Sequence, residues 1–128
     1  MSLRDEILGR DDLPVEVVTV PEWGMDVRVR ALSGAERDAY EASCLKRMGG
    51  KADKVEMTFE NIRARLVARS VVDEAGARVF TDADVASLGA KNAAALNRLF
   101  EVAQRLSGLR GEDFEELLGN SGSAPAGS

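Results

Sequence analysis

Between Pro14 and Ser33 the chain carries a pattern that few folds can accept. Met25, Val27, Val29 and Ala31 alternate with Asp26, Arg28 and Arg30. Successive side chains of a strand point to opposite faces, so this run is one half-buried β-strand. Before it stands Val15–Val20, VEVVTV, rich in β-branched residues that favour the pleated surface. Its alternation slips at Val17–Val18, so this strand either carries a bulge or is buried on both faces. Pro21, Glu22, Trp23 and Gly24 supply the turn. The pair is read as a β-hairpin, and one face of it needs a covering layer.

Helices supply that layer. Ser33 and Glu36 have capping-box spacing, in which hydroxyl and carboxylate each satisfy an orphan N–H. The helix they open is expected to run to about Met48, with Tyr40, Cys44, Leu45 and Met48 on its apolar stripe. Ala35, Ala39 and Ala42 form a small-residue face, and Gly49–Gly50 stop the helix. A second helix is expected from a Thr58 cap, with Phe59, Ile62 and Leu66 facing the core. On it Arg63, Arg65 and Arg69 read as a solvated face. Val71–Val72 and Val79–Phe80 flank a tight turn at Asp73–Gly76. Thr81 with Asp84 reads as another N-cap, and the longest helix is expected over about 90–106, with Ala93, Leu96, Leu99, Phe100, Ala103 and Leu106 on one face. Residues 3–9 are expected to form a short helical turn.

The expected fold is α+β and mostly helical, an N-terminal β-hairpin packed on a bundle of about four helices. Residues 1–13 are an arm, 14–118 a single domain, and 119–128, GNSGSAPAGS, a flexible disordered tail with nothing to bury. The 128 residues suit one domain, and 45% apolar with 30% charged residues is a globular composition.

Composition removes whole classes of chemistry. There is no histidine, which deletes Ser–His–Asp and Cys–His catalysis and imidazole metal sites. One cysteine, Cys44, cannot form an internal disulfide; it is read as a buried structural thiol. The net charge of −5, with dispersed Lys and Arg, argues against nucleic acid. No run approaches the roughly 20 apolar residues of a membrane span, and the charged start is unlike a signal peptide. Cytosolic synthesis and residence are therefore expected.

Individual motifs fare no better as chemistry. Ser43–Lys46 spells S-x-x-K but lacks its companion motifs. Asp73, Glu74, Asp82 and Asp84 do not follow the calcium-loop spacing and serve turns and caps. No catalytic, cofactor or metal residue is expected. What remains are protein-binding candidates. Trp23 at the hairpin tip either folds over the hairpin core or anchors a partner. Phe114, Leu117 and Leu118 either dock on the domain or form a partner-binding helix.

The order of these segments resembles a known family. Val20–Gly24 and Val27–Ser33 lead into Glu36-Arg37-Asp38; then come Val72–Gly76, Val79–Val85 and Leu88, and the stretch from Leu96 to Gly119-Asn120. Over about residues 14–120 this is similar to the tail assembly chaperones of long-tailed bacteriophages and prophages. The resemblance implies a non-enzymatic helper that binds the tape measure protein and keeps it soluble during tail assembly. It also implies self-association, often a longer frameshifted form of the same protein, residence in the bacterial cytoplasm, and absence from the mature virion. The alternatives are a structural minor tail or connector protein, or a small adaptor unrelated to phage. The face of Ala35, Ala39 and Ala42 would pack against another subunit.

Overall fold

A computed structural model describes residues 2–47, 55–57 and 60–109. Strands β1 (Val15–Val20) and β2 (Met25–Arg30) form the expected hairpin. Their register runs unbroken from Val15↔Arg30 to Val20↔Met25, so there is no bulge. Nor is β1 buried on both faces: Val18 and Val20 are buried, while Val15 and Val17 face outward and stay exposed. The slip in alternation is a consequence of two valines standing on the solvent side.

The turn is one 3-10 turn, Pro21–Trp23, closed by Gly24 at φ 63. A glycine takes this left-handed conformation without a Cβ clash. The sheet has a third strand, formed by the valine pair before the Asp73–Gly76 turn. β5 (Val71–Val72) pairs antiparallel with β2, Arg28↔Val72 and Val29↔Val71, giving the order β1-β2-β5.

Helix α1 (Leu3–Leu8) buries none of its residues. Helix α2 (Gly34–Ser43) opens with the expected capping box: Ser33 N–H donates to Glu36 Oε1 at 2.8 Å, and Glu36 N–H to Ser33 Oγ at 3.1 Å. It ends at Ser43, short of the expected Met48. Arg65 Nη1 donates to the Ser43 carbonyl at 2.8 Å and satisfies one of the orphan acceptors of the last turn. The chain then enters β3 (Leu45–Arg47), which pairs with β4 (Val55–Met57). A second small hairpin therefore replaces the helix end and part of the polar connector, and Leu45 leaves the apolar stripe for the surface. Met48, Gly49–Gly50, Thr58 and Phe59 lie outside the described residues.

Helix α3 (Ile62–Ser70) starts after Asn61, whose φ of 53 turns the chain sharply into it. Ala64 and the run Leu66–Ser70 are buried. The solvated arginine face is corrected here. Arg63 is exposed, but Arg65 is tied to two carbonyls and Arg69 is only 9% exposed, with its Nη1 3.2 Å from Asp82. A guanidinium taken this far from water needs a charged partner, and Asp82 provides it.

Two short elements lead into the longest described helix. Thr81 N–H donates to Asp84 Oδ2 at 2.8 Å, and a 3-10 turn (Asp82–Asp84) leads into α4 (Val85–Gly89). Helix α5 (Ala93–Leu106) begins three residues later than expected, because Ala90 and Lys91 close the preceding turn and Asn92 Oδ1 accepts from Ala95 N–H at 3.0 Å. At this new first turn Ala93 is exposed, and Ala95 takes the buried place expected of Ala93. Ser107 Oγ accepts from Leu32 N–H at 2.9 Å and pins the end of α5 to the exit of β2. The core lies where Val18, Val20 and Val29 of the inner sheet face meet Leu66 and Val67 of α3 and Leu96, Leu99 and Ala103 of α5. Helix over sheet is the α+β architecture expected, mostly helical beyond the hairpin.

Candidate functional site

The hairpin tip, the flank of β5 and α4 enclose a groove of about 820 Å³. Three sequence features build it. The 3-10 turn places Trp23 half-buried against the core, at one end of the groove. β2 contributes Met25 and Val27, and Met25 is 56% exposed. Opposite them stand Phe80, held by the turn that follows β5, and Leu88 on α4. The floor is thus apolar and partly open. Its rim carries Arg28 and Lys91 against Asp26, Asp73, Glu74 and Asp84, so acidic groups outnumber basic ones.

The tip is held in place by charge. Arg98 Nη2 on α5 lies 2.9 Å from Glu22 Oε2. The hydrogen bond from Arg98, foremost, holds the Glu22 carboxyl below its ordinary range, with a backbone hydrogen bond adding to it. Asp73 shapes the other wall. Its Oδ1 accepts from Ala75 N–H at 2.9 Å and Ala77 N–H at 3.0 Å, and Gly76 takes φ 86. That carboxylate is consumed by its own turn. Asp82 serves Arg69 and Arg78, and Asp84 caps Thr81. Among the described residues no three metal-ligating side chains gather.

Cys44 is buried at the foot of α2 beside Tyr40. Burial pushes its thiol up from the ordinary value, and burial does the same to the Tyr40 phenol. A thiol whose pKa is raised by burial is a poor nucleophile.

The Trp23 ring packs on the core, as one of its two readings expects, and it also lines the groove. Ala35, Ala39 and Ala42 are all exposed on one stretch of α2, away from the residues that line the groove. Phe114, Leu117 and Leu118 lie outside the described residues. Met25, Val27, Phe80 and Leu88 give little sequence signal as groove-lining residues because three separate elements bring them together. A trace of the signal was present, since Val79–Phe80 is an apolar pair beside a turn with no helical stripe to join.

Among the described residues no helix is long and apolar enough to cross a membrane. No curated protein and no solved structure matches the chain. The family model described as phage tail assembly chaperone matches residues 10–119. That match spans most of the sequence, including the hairpin, the groove and helices α2, α3 and α5. The chain belongs to the phage tail assembly chaperone family.

Proposed function

We propose that the protein is a non-enzymatic chaperone that binds the tape measure protein and keeps it soluble while the tail is assembled. The observation that carries this reading is the partly open apolar groove around Trp23 in a chain of this family. A client too long to fold alone exposes apolar segments, and an apolar floor with a tryptophan anchor covers such segments at low entropic cost. The acidic rim keeps the complex soluble and suits a client segment with flanking Lys or Arg.

The chaperone acts in the host cytoplasm and is left out of the finished particle. The exposed face of Ala35, Ala39 and Ala42 is assigned to packing against a further subunit, which includes a frameshifted longer form where one is made. Small side chains there allow close backbone approach. Phe114, Leu117 and Leu118 remain candidates for a second client contact.

Co-expression with the tape measure protein tests the reading. The client is expected to be soluble and to co-purify with the wild-type chain, and to precipitate without it. Mass spectrometry of finished particles is expected to lack this chain. A client equally soluble alone, or a chain retained in particles at structural copy number, would refute the chaperone role.

A further inference from the structure

We propose that β1 is a dimerisation edge, along which two copies pair Val15–Val20 antiparallel about a twofold axis at Val17 and join their sheets into one. This goes beyond the chaperone reading and does not rest on it.

The two margins of the sheet differ. At the β5 margin the chain covers itself: Val79 N–H donates to the Val71 carbonyl at 3.2 Å, Asp73 N–H to the Ala77 carbonyl at 2.9 Å, and Val72 bridges Arg78. At the β1 margin no described segment pairs with the strand. One hydrogen bond shows which groups face outward there. Ala31 N–H donates to the Pro14 carbonyl across the hairpin at 2.9 Å. Main-chain groups alternate sides along a strand, so Pro14, Glu16, Val18 and Val20 bond toward β2. Val15, Val17 and Thr19 then present their N–H and C=O groups to the open edge. The side chains above them are open too, Val15 at 48% and Val17 at 53% exposure.

Edges normally carry safeguards against pairing: an inward-pointing charge, a proline within the strand, a bulge. β1 has no bulge, and its prolines stand only before and after it, at Pro14 and Pro21. Its one charge on the inner face, Glu16, is neutralised within the chain by Arg105. The order of residues selects a second copy as the occupant. With Val17 opposite Val17, Val15 lies opposite Thr19 on both sides of the axis, and every outward N–H meets a carbonyl. Glu16 lies opposite Val18, and its carboxylate is already 2.7 Å from Arg105. Sliding the pairing by two residues one way sets Pro21, which has no N–H, opposite Val15. Sliding it the other way sets Glu16 against Glu16, a like-charge pair directly across the strands. Of these three registers, the one centred on Val17 alone keeps all its bonds and opposes no charges.

Light scattering of the purified full chain, coupled to size exclusion, tests this. Wild type is expected to have at least twice the mass of Val17→Asp and of Val17→Lys, each of which sets like charges on the axis. Both variants should keep the wild-type circular dichroism, because Val17 is a surface side chain. Mixed in equal amounts, they should recover the dimer, and native mass spectrometry should find one of each in it. A monomeric wild type, a Val17→Asp variant of unchanged mass, or a mixture that stays monomeric would overturn the proposal. If Val17→Asp fails to fold, Thr19→Pro replaces it. That change deletes an N–H which the hairpin leaves unused, so a folded monomer supports the edge and a dimer refutes it. Client solubility is scored separately, so a failed edge leaves the chaperone reading standing.

Discussion

Helix α3 and the groove are both built from apolar side chains, yet they use them in opposite ways. In α3, Leu66, Val67 and Ala68 have lost all contact with water, and the chain buries even Arg69 beside them. In the groove, Met25 and Val79 keep about half of their surface, and Trp23 and Phe80 are only half-buried. A residue whose contacts are completed within the chain contributes to stability. One whose contacts are left open contributes only when something else completes them. The same residue chemistry thus divides into a scaffold and a surface, and substitutions in the two regions should separate by what they change.

The largest effect is expected at the centre of the scaffold. Leu66→Ala removes a fully buried side chain between sheet and α5. The loss should be about 2–5 kcal/mol, from lost burial plus the cavity left behind. Chemical denaturation should show a lower midpoint with little change in slope. A midpoint equal to wild type would move the centre of the core elsewhere and dissolve the comparison.

Next comes Gly89, at the end of α4. A Cβ there would collide with the Asn61 side-chain amide, while Ala64 stays at ordinary contact distance. The Asn61 amide must swing aside, leaving its present rotamer. Gly89→Ala should therefore cost about 1 kcal/mol, the scale of an off-rotamer side chain. Asn61→Gly removes the obstructing amide and suits the positive φ. In a double-mutant cycle it should recover much of the loss. Purely additive costs would show that the collision is not the cause.

The features legible in the sequence were those made by neighbours. The hairpin was visible in its alternation and its Pro21–Gly24 turn, and the α2 start in Ser33 and Glu36. The pairing of β5 with β2 joins Arg28 to Val72, and two valines carry too short a pattern to announce it. The β3–β4 hairpin was hidden because Tyr40, Cys44 and Leu45 also fit a helical stripe. Arg69 looked solvated because its partner, Asp82, lies beyond a turn and was read only as a cap. The onset of α5 was the exception: Asn92 stood three residues before Ala95 as a readable cap, and the helix-favouring Ala90 obscured it. The groove inherits these blind spots. Only its Trp23 end was visible, since β5 and α4 had first to be placed beside the hairpin.

At the surface, Trp23→Ala should reverse the pattern of Leu66→Ala. The tape measure protein is expected to be captured at least about tenfold more weakly, the usual scale for a tryptophan anchor. The thermal midpoint should fall less than for Leu66→Ala, because the ring is only half-buried. Co-purification yield and thermal melting on the same preparations would check both. A variant with lower stability and undiminished capture would make Trp23 part of the scaffold.

The smallest effect concerns the tether between the two regions, Glu22 on the tip and Arg98 on α5. The Glu22 carboxyl is held below its ordinary value of 4.5, first by the Arg98 hydrogen bond. A carboxyl depressed in the folded state favours folding above its unfolded pKa, and that contribution is lost as pH falls through the folded pKa. Wild type should therefore lose slightly more stability than Glu22→Gln between neutral pH and the acid side of 4.5. The pair lies at the surface, so salt should shrink the difference, as it does for solvent-exposed charges. Denaturation midpoints across pH, at low and high salt, would read it. If the two proteins follow one pH curve at both salts, the tip is held by Trp23 packing alone, and the groove owes its shape to the core beneath it.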